Sequence, residues 1–152
     1  MMKSVLFVCL GNICRSPLAE GIARDIVQRK KLDVEVDSCG TGDWHIGEHP
    51  CENSIKVAKM HGIDISMLVS RQITRNDLEH FEMIVALDSQ NYADLKSMGA
   101  KNLYKLGDFG YEGADVPDPY FFHGFEGFEK VYEMIHICVN NLFKIKFEHK
   151  EF

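Results

Sequence analysis

Residues Phe7 to Glu20 read FVCLGNICRSPLAE, and two of their side chains carry reactive chemistry at a fixed interval. Cys9 ends an apolar run, Arg15 follows six residues later, and Ser16 and Pro17 come directly after it. A thiolate is a strong nucleophile, and a guanidinium presents a planar fork of donors that fits two phosphate oxygens. The intervening Leu10, Gly11, Asn12, Ile13 and Cys14 span only a turn. In a compact turn their backbone N–H groups point inward as an anion-binding nest, and a following helix adds the positive end of its dipole. Gly11 and Asn12 are the residues there that best accept left-handed backbone angles.

The predicted site is therefore a cradle for a dianion, built from the N–H groups of Leu10 to Ser16 and the Arg15 fork, with the Cys9 thiol at its base. A free cysteine titrates near ~8.5, and a helix N-terminus, a guanidinium and inward N–H groups all favour its thiolate. Ser16 can add a hydrogen bond to the sulfur. The expected chemistry is phosphoryl transfer to sulfur, and no metal or cofactor is called for. The nucleotide-binding pattern GxxxxGK[ST] is absent here, since neither lysine nor glycine stands where it would need them. The bland reading, an inert buried thiol and a surface arginine, is outweighed by the specificity of C-x5-R-S between a strand and a helix.

Such a cradle needs a strand before it and a helix after it. Val5 to Cys9 reads as a buried parallel strand, and after Pro17 the stretch LAEGIARDIVQRK has helical spacing. A second strand around Val34 and Val36 runs into the loop CGTGDWHIGEHP, followed by a helix over Cys51 to His61 closed by Gly62. Thr74 caps a short helical turn at Asn76 to Leu78. Met83 to Leu87 is a third strand, Ser89 to Met98 a helix, and Asn102 to Leu106 a fourth strand. From Phe125 to Phe147 the apolar positions recur at helical spacing, which predicts one long amphipathic helix with a solvated polar tail. Alternation of this kind implies right-handed crossovers and a parallel sheet covered on both faces, with ligands outside the carboxyl ends of the strands. Cys9 lies at that end of the first strand.

The chain has 152 residues, 45% hydrophobic and 26% charged, which suits one domain, residues 1–152. A formal net charge of −6 argues against nucleic acid as a partner. The apolar run at Val5 to Leu10 is too short for a secretory segment, and nothing is long enough to span a membrane, so the expected location is the cytoplasm. Five cysteines suit reduced thiols better than a disulfide framework. The seven histidines show no zinc spacing with cysteine and read as surface or satisfied side chains.

In these motifs the chain resembles the low-molecular-weight protein tyrosine phosphatases. Val8 to Pro17 match their V-C-x-G-N-x-C-R-S-P, and Asp118-Pro119-Tyr120 match a later Asp-Pro-Tyr. Asp37-Ser38, Asp43-Trp44, His61-Gly62-Ile63, Ser70-Arg71-Gln72 and Leu87-Asp88 match in order between them. The resemblance implies a single-domain α/β fold, a Rossmann-like (flavodoxin-type) three-layer sandwich with a four-stranded parallel sheet. It implies hydrolysis of phosphotyrosine through a cysteinyl-phosphate, with Cys9 as nucleophile, Arg15 as phosphate clamp and Asp118 as general acid, then base. A phenol titrates near ~10, so its departure needs such an acid, typically worth ~10²–10⁴ in rate. Pro117 and Pro119 limit the freedom of the loop that carries it.

The resemblance further implies a deep slot for an aromatic ring, walled by Leu10, Ile13, Trp44 and Tyr120, with Asn12, Ser16 and Ser38 bracing the loop and Asp88 orienting Arg15. Phosphotyrosyl proteins are the implied substrates, with a cognate tyrosine kinase behind them, and a monomer is the default. Two departures stand out. Phe121 replaces a second tyrosine of many relatives, and Leu68 replaces a supporting histidine of some. Cys14 matches a cysteine that in the family can form a reversible disulfide with the nucleophile. The rival readings are a thiol-coupled arsenate reductase of the same fold, disfavoured because no cysteine lies between Glu82 and Gln90, and a non-catalytic phosphotyrosine-binding module, which would need no thiol.

Overall fold

A computed structural model describes residues 3–119, 122 and 124–148. The chain runs β1 (Lys3–Cys9), α1 (Ser16–Lys30), β2 (Val34–Gly40), α2 (Glu52–Met60), α3 (Arg75–His80), β3 (Met83–Ala86), α4 (Ser89–Ser97), β4 (Leu103–Lys105), a 3-10 turn (Leu106–Phe109) and α5 (Glu126–Lys146). The four strands form one parallel sheet in the order β2-β1-β3-β4. Helices cover both faces, as the alternation requires, and the architecture is the α/β three-layer sandwich expected.

Strand β1 is interior, paired with β2 on one side and β3 on the other, and its side chains serve both faces. Val5, Phe7 and Cys9 point into one apolar cluster, with Leu18, Ile22 and Ile26 of α1, Val57 of α2 and Ile135, Val139 and Leu142 of α5. Leu6 and Val8 point into the other, with Leu95 of α4 and Phe81. Every residue from Val5 to Val8 is fully buried, and each such side chain contributes roughly 1.5–3 kcal/mol by leaving water. The period-two split fixes the register, so Cys9 at the strand end can only meet the α1 side.

Several boundaries move by a residue or two. α1 starts at Ser16 rather than after Pro17, α2 starts at Glu52 with Cys51 as its N-cap, and β3 stops at Ala86. The chain tightens into the 3-10 turn at Leu106, ending β4 early. The turn at Thr74 is a capped helix of six residues, in which Thr74 and Asp77 satisfy each other's backbone N–H groups. The tail after α5 is not wholly solvated: Phe147 is buried, and Lys30 pairs with Glu148.

Candidate active site

The cradle is the link between β1 and α1. Its backbone turns at Asn12, whose φ of 57° is left-handed, while Gly11 is not. Gly11 answers to a different constraint, because a Cβ there would meet Cδ2 of His45 at 2.9 Å. Gly40, at the end of β2, has no room either: a Cβ would lie 2.6 Å from the Leu10 carbonyl and 3.2 Å from the Asn12 nitrogen. The small residue lets the strand end and the loop touch through backbone, with Thr41 N–H donating to the Cys9 carbonyl and Gly42 N–H to that of Leu10.

The Cys9 sulfur accepts the Asn12 N–H at 3.2 Å and lies 3.0 Å from the Ser16 hydroxyl oxygen. That hydroxyl already accepts from the Asn12 side-chain amide at 2.7 Å, which leaves its own proton for the sulfur. The same amide donates to Ser38 at 2.9 Å, and its oxygen accepts the Arg71 N–H at 3.1 Å. Ser38 in turn donates to Glu20 at 2.6 Å, and Arg24 donates to the other Glu20 oxygen at 2.7 Å. Asn12, Ser16, Ser38 and Glu20 are all buried, so the chain of bonds works in low dielectric, where it holds its members most firmly. Burial pushes the Glu20 carboxyl above its usual range, against the opposing pull of the Ser38 and Arg24 hydrogen bonds.

Arg15 is buried beside the loop. Its Nη1 donates to Asp88 Oδ2 at 2.7 Å and to the Val116 carbonyl at 3.1 Å. Asp88 is itself fixed as the N-cap of α4, accepting the Asn91 N–H at 2.8 Å. Val116 is held from its other side, its N–H donating to the Leu87 carbonyl at 2.9 Å. Two bonds at the Val116 backbone, one from the Arg15 side chain and one to the Leu87 carbonyl, thus bring the segment carrying Asp118, 103 positions beyond Arg15 in the chain, to the strand ends.

Cys9, Leu10, Gly11, Ile13, Cys14, Arg15, Trp44, His45 and Asp118 line one pocket of about 170 Å³. Trp44 is 66% exposed and Leu10 44%, so the apolar walls stand open to solvent. Tyr120 and Phe121 lie outside the described residues. The sequence reading missed two members of the site. His45 is a pocket residue, its Nδ1 bonded to Glu48 at 2.9 Å, and not merely a surface histidine. Glu20 sits one turn into α1 on its buried face, and a lone acid inside an apolar helical stripe was the signal for it. Leu68 packs against the apolar core.

The cysteines need a correction. Cys14 is disulfide-bonded, and to Cys51 rather than to Cys9, with Cα atoms 5.5 Å apart. Cys9, Cys39 and Cys138 are free. The expectation of five reduced thiols overlooked that Cys51 comes back to the cradle through the loop after β2.

A family profile described as low molecular weight phosphotyrosine protein phosphatase matches residues 4–151. Among curated proteins, Bacillus subtilis YfkJ, a low molecular weight protein-tyrosine-phosphatase, is 45% identical over 133 residues, 82% of this chain and 85% of its own. Staphylococcus aureus PtpA, named likewise, is 41% identical over 146 residues, 93% of this chain and 92% of its own. The crystal structure of YfkJ superposes with a TM-score of 0.87 over 95% of this chain and 94% of that one, at 39% identity. A Drosophila protein described as an arginine phosphatase superposes equally well, with a TM-score of 0.87 at 32% identity over 95% and 97% of the two chains.

Proposed function

The chain belongs to the low molecular weight phosphotyrosine protein phosphatases, and on that premise we propose that it hydrolyses phosphotyrosine in proteins through a phosphate ester of Cys9. The observation that carries this reading is the Cys9 sulfur, fixed by the Asn12 N–H and Ser16 at the base of a pocket that Arg15 and Asp118 share. A binding module would have no use for the sulfur or for the carboxyl group.

In the proposed reaction the phosphate enters with its oxygens toward the loop amides and the free edge of the Arg15 guanidinium, whose Nη1 is committed to Asp88 and Val116. The Asn12 N–H and the Ser16 hydroxyl stabilise negative charge on the sulfur, which attacks phosphorus opposite the phenolic oxygen. Asp118 gives that oxygen its proton as the P–O bond breaks. The resulting carboxylate then takes a proton from water, whose oxygen attacks the phosphocysteine and releases inorganic phosphate and the Cys9 thiolate. Leu10, Ile13 and Trp44 contact the ring of the substrate. We place the reaction in the cytoplasm, on phosphotyrosyl proteins made by a tyrosine kinase, with the enzyme a monomer and neither nucleic acid nor membrane engaged.

The test is turnover of p-nitrophenyl phosphate and a phosphotyrosyl peptide by wild type, Cys9→Ser and Asp118→Ala, with phosphoarginine as a comparison substrate. Cys9→Ser is expected to be inactive. Asp118→Ala should lose ~10²–10⁴ on the peptide and less on the nitrophenyl ester, whose leaving group needs a proton least. Equal turnover by wild type and Cys9→Ser overturns the mechanism, and preference for phosphoarginine overturns the substrate.

A further inference from the structure

Cys14 lines the reaction pocket beside Cys9, but its sulfur is turned to Cys51 at the N-cap of α2, 37 residues away. The two segments are docked without help from that bond. The Cys51 N–H donates to the Ile13 carbonyl at 2.8 Å, and the Ser54 hydroxyl donates to the Cys14 carbonyl at 2.9 Å. The 5.5 Å between the two Cα atoms is an ordinary spacing for a disulfide. The hydrogen bonds hold that spacing independently, so the S–S bond can open and close over an unmoved backbone.

The other thiols are placed differently. Cys14 and Cys51 are each half-buried and within reach of small thiols. Cys39 and Cys138 are completely buried, and burial pushes the Cys138 thiol up to about 11. Cys9 is 2% exposed. Of the five sulfurs, only the pair at Cys14 and Cys51 is both partnered and accessible.

We propose that Cys14 and Cys51 form a reversible oxidation site in which Cys51 withdraws Cys14 from the nucleophile, so that oxidation leaves Cys9 a free thiol and the phosphatase competent. The consequence for activity rests on Cys9 being the nucleophile; the site itself does not. In the closing direction, one of the two thiolates attacks a small-molecule disulfide such as oxidised glutathione, forming a mixed disulfide and releasing one small thiol. The second thiolate attacks the protein sulfur of that mixed disulfide and releases the other. Two protein thiols become one S–S bond, and the small disulfide leaves as two thiols carrying the two electrons and two protons. Excess dithiothreitol reverses both steps.

The experiment is oxidation of the intact enzyme with oxidised glutathione, blocking of remaining thiols with N-ethylmaleimide in denaturant, and tryptic mapping alongside an activity assay. Cleavage after Lys3 and Arg15 leaves Cys9 and Cys14 on one peptide, and cleavage after Lys31 and Lys56 leaves Cys39 and Cys51 on another. Wild type should give these two peptides cross-linked through Cys14 and Cys51, with maleimide on Cys9 and most turnover retained. Cys51→Ser, active when reduced, should under the same treatment lose at least about tenfold in turnover, with Cys9 and Cys14 joined within one peptide, and recover with dithiothreitol. No cross-link in wild type overturns the proposal, as does a cross-linked wild type without activity, or a Cys51→Ser enzyme as resistant as wild type. Mapping requires no turnover, so failure of the Cys9 mechanism, read from Cys9→Ser, stays separate from failure of the oxidation site.

Discussion

The cradle and the segment that carries Asp118 meet in one pocket but are held there by different means. From Cys9 to Ser16 the loop has, beyond its backbone bonds to Thr41, Gly42 and Cys51, a buried brace of side chains: the Asn12 amide spans Ser16 and Ser38, Ser38 reaches Glu20, and Cys14 is tied covalently to Cys51. The segment from Gly107 to Asp118 has no such buried chain of side chains: it is located by the two bonds at the Val116 backbone, by those of Tyr111 and Gly113 to the Gly107 carbonyl, and at the surface by Asp115, which accepts from Ser89 and pairs with Lys105. A group that must hold a dianion gains from a fixed environment, since its dipoles then need no reorganisation. Glycines serve both regions, each where backbone passes close to backbone.

That contrast can be broken at its shared member first. Arg15 touches both regions, so Arg15→Ala removes the proposed phosphate clamp and one of the bonds at Val116 together. We expect kcat/KM to fall by ~10²–10³ or more, the scale for losing one oxyanion donor, with weakened inhibition by inorganic phosphate. Unchanged phosphate inhibition in this variant would separate the clamp from the cradle.

Gly40→Ala and Gly107→Ala sharpen the comparison as a matched pair. The first drives a methyl into the Leu10 carbonyl, and the second drives one to within 1.9 Å of the Ala114 carbonyl oxygen. Overpacking of this kind typically costs ~1–3 kcal/mol, measurable by urea unfolding of each. Gly40→Ala should raise the inhibition constant of inorganic phosphate. Gly107→Ala should leave that constant alone and slow aryl phosphates with poor leaving groups, by less than the ~10²–10⁴ a general acid supplies. Identical kinetic signatures from the two variants would mean that the regions move as one.

The smallest effect is the pH dependence of the brace. Glu20 holds its proton more tightly in the folded chain than in the unfolded one. Its contribution is fully present below the unfolded value near 4.5 and is lost as pH rises through the folded value. Glu20→Gln should therefore flatten the fall in Tm as pH rises above about 4.5. Asp77 runs oppositely: burial alone would raise its carboxyl, but hydrogen bonds from Arg71 and Thr74 hold it below the usual range. Its contribution is present above about 3.8 and is lost as pH falls further. A scan of Tm against pH for Glu20→Gln and Asp77→Asn checks both signs.

Much of this was legible in one dimension. Continuous apolar runs such as Val5 to Val8 mark strands buried on both faces, and the spacing from Phe128 to Phe143 marks α5. That Cys9, Arg15 and Ser16 gather around one loop was legible because a turn of seven residues has few shapes. His45 and Cys51 were not, because the loop after β2 has no periodicity to say where it returns. Gly11 was read for a backbone angle that Asn12 in fact adopts, since sequence does not distinguish a glycine needed for torsion from one needed for space.

By itself the sequence determined which groups could react and the order of strands and helices that would carry them, since local sterics and burial act over a few neighbouring residues. Only the tertiary structure decided that the Val116 carbonyl joins Asp88 in clasping Arg15, that Glu20 ends a hydrogen-bond chain begun at the sulfur, and that Cys14 pairs with Cys51 rather than with Cys9. These are contacts between segments far apart in the chain, and their geometry comes into being only when the parallel sheet gathers the carboxyl ends of its strands along one edge.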